Sequence, residues 1–145
     1  PLFWEIFFID RISKIAVHGL LARKSFVITK FLVLQRTFNR GIAWSLFAFS
    51  GQWGSVLIIA ATFAVLAFLA KYTCDRQKQG YSVTGETLLL AGGFANFVDR
   101  IWYDGVVDFI KISFGSWVFP IFNIADIAIT IGGCIILYQF FFGDE

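Results

Sequence analysis

The sequence has few of the residues from which most metal and disulfide sites are built. It contains one histidine and two cysteines among 145 residues. His18, Cys74 and Cys134 together are too few for a zinc site of ordinary ligand number. Because Cys74 belongs to a charged segment and Cys134 to an apolar one, a structural disulfide between them is not expected either. We therefore expect neither a metal nor a cofactor.

Charged residues are also scarce. They make up 15% of the chain, against about 25% in soluble domains, while hydrophobic residues make up 58%. The net charge of +2 gives no reason to expect a nucleic-acid partner. The composition therefore indicates a small integral membrane protein, in which four helices of about 20 residues each would leave no room for a large outer domain.

Methionine is absent, and the sequence starts at Pro1. This start indicates that the given chain does not begin at a native initiator. The first apolar segment carries Glu5, Asp10, Arg11 and Lys14, and no small-residue cleavage pattern follows it. A cleavable signal peptide is therefore not predicted.

Two apolar segments, 53–71 and 121–142, are long enough to cross a bilayer. Two others, 2–21 and 84–102, have the length but carry ionisable side chains, which are costly in a membrane unless they face protein or water. We predict four transmembrane helices at these places, in one domain covering 1–145. For the two charged segments, a helix lying on the membrane surface stays an alternative.

The connections between these segments differ in character. The first, 23–40, is basic, and its alternation of β-branched and aromatic residues predicts one or two short strands. The second, 71–81, reads as a short polar turn, and the third, 103–120, as a longer loop. If the chain crosses four times, the first and third connections lie on the same side, so Asn39 can meet the residues that follow Asp99.

Two similar pairs of Asn and Asp are predicted on the side of the membrane that holds the first and third connections. Asn96 and Asp99 are three residues apart at the end of the third predicted helix, and Asn123 and Asp126 are three apart at the start of the fourth. Residues at this spacing share one helix face. Asp108 lies between the two patterns and has apolar neighbours, which is unusual for a solvated loop charge.

Carboxylates that meet in a partly dry site cannot all ionise, so one holds a proton while another can act as a base toward water. This is the requirement of aspartic proteolysis. The serines have no histidine partner, although a pair of Ser113 and Lys111 stays open. Asp99 and Arg100 can also form a plain helix-end pair, and Asp10 with Lys14 a structural i, i+4 pair. A non-catalytic transporter or assembly factor, using the acids as a proton or ion relay, is the alternative function.

The motifs, taken in order, resemble those of bacterial lipoprotein signal peptidase, also called signal peptidase II. The matching blocks are Asp10-x-x-Ser-Lys14, Asn39-x-Gly41-x-Ala43, Gly92-Gly93-Phe-Ala-Asn96-Phe-Val-Asp99-Arg100, Val106-Val107-Asp108-Phe109 and Phe122-Asn123-Ile-Ala125-Asp126. They cover nearly the whole chain. The last three blocks are specific, and the first two support them.

The resemblance implies an all-α membrane protein of four transmembrane helices with a small extracytoplasmic β-rich cradle. It implies an aspartic endopeptidase of the bacterial inner membrane, with both termini cytoplasmic and the active site near the extracytoplasmic face. Members remove the signal peptide of a prolipoprotein before a diacylglyceryl-modified cysteine, and globomycin inhibits them. The implied partners are this substrate, membrane lipids and globomycin-type inhibitors, with a monomer as the default state.

The resemblance also assigns roles to residues. Asp108 and Asp126 form the catalytic dyad, and Asp99 is the rival for the first role, disfavoured because Arg100 stands beside it. The remaining site-lining residues are Asn39, Gly41, Asn96, Arg100 and Asn123. Two features depart from the family: Ala95 stands where Gly is usual, and the supposedly external first connection carries more basic residues than the supposedly cytoplasmic second one.

Overall fold

The computed structural model describes residues 1–21, 24–41, 52–103 and 105–143. Within these residues the chain forms four helices and four strands. In chain order they are α1 (Leu2–Leu20), β1 (Phe26–Val27), β2 (Leu32–Asn39), α2 (Gln52–Lys78), α3 (Thr84–Trp102), β3 (Val106–Phe114), β4 (Trp117–Val118) and α4 (Ile124–Phe142). The prediction of a mostly helical chain with a small β-rich part is confirmed. Two helices, at Trp53–Lys78 and Ile124–Phe142, are long and apolar enough to cross a membrane.

The second helix is longer than predicted, and the polar turn predicted for 71–81 is wrong over most of its length. The helix continues to Lys78 because no Gly or Pro stands between Lys71 and Gly80. Lys71 and Asp75, one helical turn apart, also form an exposed ion pair of 2.8 Å. Gly80 then adopts a positive φ of 87° and ends the segment.

The fourth helix begins at Ile124, three residues later than predicted. Asn123 caps it: its side chain accepts a hydrogen bond from the Asp126 N–H at 2.9 Å, and the Asp126 side chain accepts one from the Asn123 N–H at 3.1 Å. This reciprocal capping box satisfies donors that the first turn of a helix leaves open. Phe122, just before the cap, is bridged to Ile110 of β3. The start of α4 is therefore fixed to the sheet.

The four strands form one antiparallel sheet in the order β1-β2-β3-β4. The strands predicted in the first connection are confirmed as β1 and β2. The loop predicted for 103–120 is wrong, because 106–114 forms β3, whose alternating β-branched and aromatic residues suit a strand. β2 and β3 pair so that Thr37 stands opposite Asp108, after an irregularity between Leu34 and Thr37.

The alternation of β3 determines where Asp108 points. Its neighbours Val107 and Phe109 are buried in a core cluster with Val17 and Leu21 at the end of α1. Since successive side chains of a strand face opposite sides, Asp108 is turned away from that cluster. Only 3% of it is exposed. Burial of the apolar face of β3 thus orients the Asp108 carboxylate on its opposite face.

Helix α3 is central and packs against α1, α2 and α4. Its contact with α4 is close because glycines line it. A Cβ on Gly92 would lie 2.4 Å from the Ala125 carbonyl oxygen, and one on Gly132 would lie 2.6 Å from the Gly85 carbonyl oxygen. Helix packing of this kind, with small residues at the interface, is typical of membrane proteins. It brings the polar residues of α3 and α4 within reach of each other.

Replacing Gly92 by alanine is expected to destabilise the fold by about 1–3 kcal/mol, because the added methyl group meets backbone that cannot move freely. The measurement is thermal unfolding of the purified protein in detergent. Gly133→Ala is the matched control, since a Cβ there meets nothing within 4 Å. Equal unfolding temperatures for the two variants would contradict the close α3–α4 packing.

Candidate active site

Asp108 accepts a hydrogen bond at each carboxylate oxygen. The Asn123 side-chain amide donates to Oδ1 at 2.7 Å, and the Asn39 amide donates to Oδ2 at 3.1 Å. Asn39 is oriented in turn by the Gly41 N–H, which donates to its side-chain oxygen at 3.0 Å. The end of β2 and the cap of α4 therefore hold this carboxyl from two sides. Ala43, the last residue of the Asn39 motif, lies outside the described residues.

Asp126 is held in the same way. The Asn96 side-chain amide donates to its Oδ1 at 2.8 Å, and the backbone N–H of Asn123 donates to its Oδ2 at 3.1 Å. Asn123 thus contacts both carboxylates, through its side chain to one and its backbone to the other. The structure brings together Asp108, Asp126 and three asparagines that the sequence singled out.

Both carboxylates line one cavity of about 370 Å³. Its polar wall includes Asn39, Asn96 and Arg100. Its remaining lining is mostly apolar and comes from α2, α3, β3 and the region around the start of α4, with Thr62, Gly93, Val106, Ile121, Ile129 and Thr130. A cavity with an apolar lining and a few convergent polar groups is the usual form of a substrate site.

Burial and, to a smaller extent, the negative charge of Asp126 raise the pKa of Asp108 to about 7. The hydrogen bonds from Asn39 and Asn123, together with the positive charge of Lys14, act in the opposite direction. Near neutral pH Asp108 is therefore protonated in a large fraction of the molecules. Such a pair can supply an acid and a base at once.

Asp99 has a different environment. It is fully buried. Its Oδ1 contacts the Arg11 guanidinium. Its Oδ2 lies 2.8 Å from the Lys14 ammonium and accepts a hydrogen bond from the Val107 N–H at 3.1 Å. Its oxygens are thus committed to cations and backbone. Asp99 therefore links α1 and α3 to β3 at Val107, the residue before Asp108.

Arg100 does not serve as the helix-end partner of Asp99 that one interpretation of the sequence suggested. Its guanidinium donates to the carbonyl oxygens of Asn96 and Gly41, each at 3.1 Å. It therefore fastens the end of β2 to α3. Gly105 allows the same close approach, because with a φ of 134° a Cβ there would lie 2.7 Å from the Asn39 carbonyl oxygen.

The Asp10–Lys14 pair belongs to a larger network. Asp10 lies 2.8 Å from the Lys14 ammonium through Oδ2 and accepts the Ala125 N–H at 3.0 Å through Oδ1. Arg11, which the sequence interpretation did not select, contacts both Asp10 and Asp99. Its signal was available, because an arginine in a predicted transmembrane helix needs a buried partner.

A second ion pair that the sequence interpretation missed lies near the other end of α2 and α3. The Arg76 side chain is 3.1 Å from Glu86, of which 1% is exposed, and the guanidinium stands 4.6 Å above the Tyr81 ring. Among the described residues, no three His, Cys, Asp or Glu side chains are arranged to hold a metal ion.

The chain is similar to a known family of proteins. The model of the family described as signal peptidase (SPase) II matches residues 2–142. The lipoprotein signal peptidase of Paraburkholderia phymatum is 33% identical over 131 residues, covering 90% of this chain and 79% of that protein. The lipoprotein signal peptidase of Histophilus somni is 36% identical over 140 residues, covering 91% of this chain and 83% of that protein.

Two solved structures described as bacterial membrane enzymes, determined by the in meso method, are similar to this fold. One has a TM-score of 0.82 at 28% identity and covers 97% of this chain and 85% of its own. The other has a TM-score of 0.78 at 28% identity and covers 99% and 92%. The resemblance predicted from the motifs is confirmed, and the chain belongs to the signal peptidase II family of proteases.

Proposed function

We propose that this protein is an aspartic endopeptidase that removes signal peptides from prolipoproteins, with Asp108 and Asp126 as its dyad. The relatives named lipoprotein signal peptidase support the substrate class. The observation that carries the dyad is that both carboxylates line one cavity and share Asn123. In the same structure both oxygens of the rival, Asp99, are bound to cations and backbone.

The two carboxyls divide the chemistry. Asp126, which accepts N–H groups at both oxygens, takes a proton from a water molecule, and that water attacks the scissile carbonyl. Asp108, whose pKa is about 7, gives its proton to the nitrogen of the leaving amine. The amides of Asn39 and Asn123 keep the Asp108 carboxyl in place while its charge changes. No covalent intermediate is needed.

The proposal includes a topology. All four helices cross the bacterial inner membrane, with both termini cytoplasmic and the sheet and the dyad at the extracytoplasmic face. Helix α1 can cross despite Asp10, Arg11 and Lys14 because these groups are buried and paired within the protein. We attribute the basic first connection, 23–40, to contact with anionic lipid headgroups, which offset its unfavourable charge bias.

The proposed substrate carries a diacylglyceryl group on the cysteine that follows the scissile bond, and the enzyme acts as a monomer that globomycin-type inhibitors block. The test uses purified protein in detergent or lipid discs with one precursor in lipidated and unlipidated form. We expect cleavage before the cysteine of the lipidated form alone, seen by mass spectrometry. Intact lipidated precursor after long incubation would contradict the proposal and favour a non-catalytic role for the acids.

The rate of cleavage is expected to fall above about pH 7, by about tenfold per pH unit. The raised pKa of Asp108 gives the sign: below about 7 the carboxyl holds the proton that the leaving amine needs, and above it the proton is lost. The apparent pKa of this alkaline limb is a property of the coupled pair of carboxyls and not of Asp108 alone. The check is the pH dependence of kcat/KM, with unfolding followed in the same buffers. A rate that stays constant up to pH 9 would contradict the assignment.

A further inference from the structure

Lys14 is placed more specifically than a structural counter-ion requires. It is 2% exposed, and its ammonium lies 2.8 Å from each of three acceptors, Asp10 Oδ2, Asp99 Oδ2 and Asn96 Oδ1. An ammonium carries three N–H groups and accepts no hydrogen bond. Each of the three N–H groups of Lys14 therefore has one acceptor. One of these acceptors belongs to Asn96, the residue whose amide contacts Asp126.

The contact fixes which way the Asn96 amide points. Because Lys14 can only donate, the amide must turn its oxygen toward Lys14 and its NH₂ group away. The Asn123 amide donates to the same oxygen at 3.1 Å and reinforces this orientation. The NH₂ group of Asn96 then donates to Asp126 Oδ1 at 2.8 Å. A chain of donors thus runs from Lys14 through Asn96 to the dyad.

The orientation matters because an amide can present either of two groups to a carboxyl. An NH₂ group favours the ionised carboxylate, whereas an amide oxygen favours the protonated acid, which can donate to it. We propose that Lys14 is a positioning residue that sets the direction of the Asn96 amide and so keeps Asp126 the unprotonated member of the pair. This inference rests on the proposed function, since it concerns the same dyad.

The charges around Lys14 decide how it can be tested. On α1 and α3 it faces Asp10, Asp99 and Arg11, which with Lys14 form a balanced set of two anions and two cations. Beyond Asn96 lie Asp126 on α4, Asp108 on β3 and Arg100 on α3. Removing Lys14 alone leaves an uncompensated buried negative charge, which is strongly destabilising. A charge-balanced pair of substitutions is therefore needed.

The test compares the double variant Asp10→Asn/Lys14→Met with the double variant Lys71→Met/Asp75→Asn. Both remove an i, i+4 ion pair, but the Lys71–Asp75 pair is exposed and lies in α2 beyond its apolar part. For the first variant we expect kcat to fall about 10- to 100-fold, as for the loss of part of an acid–base system, with KM changed less than about twofold. For the second we expect the activity of the unsubstituted protein.

The pH profile separates positioning from mere support of the fold. Because the charge of Lys14 lowers the pKa of Asp108, its loss is expected to move the alkaline limb of the kcat/KM profile upward by up to about one pH unit. Lys14→Arg, which keeps the charge and the donors, is expected to leave that limb unshifted. A lowered kcat with an unshifted profile in Asp10→Asn/Lys14→Met would overturn the inference, as would an unchanged kcat.

Failure of the proposed function itself looks different. If the unsubstituted protein does not cleave the lipidated precursor, or if Asp108→Asn cleaves it at full rate, the dyad assignment fails. If the unsubstituted protein is active and Asp108→Asn is inactive while Asp10→Asn/Lys14→Met keeps the original rate and profile, only the role of Lys14 fails.

Discussion

Asp108→Asn and Asp126→Asn are each expected to lower the rate of precursor cleavage by about 10³-fold or more, as the loss of an essential acid or base does in other hydrolases. Asparagine has nearly the same shape as aspartate but can neither give nor take the proton that the reaction requires. The measurement is the initial rate on a lipidated precursor, with purified variants at equal concentration. Each variant removes a different half of the chemistry, so both are needed.

The fold is expected to survive these two substitutions. An asparagine at 108 can still accept one of the two hydrogen bonds that Asp108 receives, and it avoids the cost of burying a charge. Thermal unfolding should therefore stay close to that of the unsubstituted protein. Asp75→Asn, at an exposed site in α2, is the control that should keep full activity. Full activity in either dyad variant would remove that carboxyl from the mechanism.

Asp99→Asn is expected to cost about 3 kcal/mol of stability, because it leaves the buried Arg11 and Lys14 with one anion fewer. The measurement is the free energy of unfolding in mild denaturant. Asp75→Asn serves again for comparison, since the ion pair it breaks is exposed and screened by water and therefore contributes little to stability. Equal losses in the two variants would show that the buried network does not carry the stability assigned to it.

Cleavage by the folded fraction of Asp99→Asn should stay within about tenfold of the unsubstituted rate, because Asp99 reaches the site only indirectly, through the backbone N–H of Val107 and the Lys14 ammonium. Stability and activity are therefore expected to separate across the three acids. Asp99 is expected to contribute mainly to stability, and Asp108 and Asp126 mainly to activity.

Much of the site could be predicted because its residues are polar groups in an apolar chain. Asn96 and Asp99, like Asn123 and Asp126, stand out at a helical spacing at two predicted helix ends, and chain topology places those ends together. The structure adds what spacing cannot show. Asp99 and Asp126 occupy the same place in the two patterns, yet one faces cations of α1 and the other faces the cavity.

The parts that escaped prediction depend on tertiary contacts. The 106–114 segment reads as a loop by itself, since its strand state depends on pairing with β2, more than 60 residues earlier in the chain. Likewise, Arg11 reaches Asp99 only when α1 packs on α3. The extension of α2 to Lys78 was missed for another reason. The helix was predicted to end with the apolar stretch at Lys71, but the polar residues that follow also have helix propensity, and the helix therefore continues through them.

In the proposed mechanism Asp108 and Asp126, and not Asp99, perform the cleavage. The most direct test measures the initial rate of cleavage of one lipidated precursor by purified Asp99→Asn and Asp108→Asn, each divided by its folded fraction. We expect Asp99→Asn to be faster than Asp108→Asn by at least about 100-fold. An inactive Asp99→Asn beside an active Asp108→Asn would contradict it and would place the catalytic acid in the ionic network of α1 and α3.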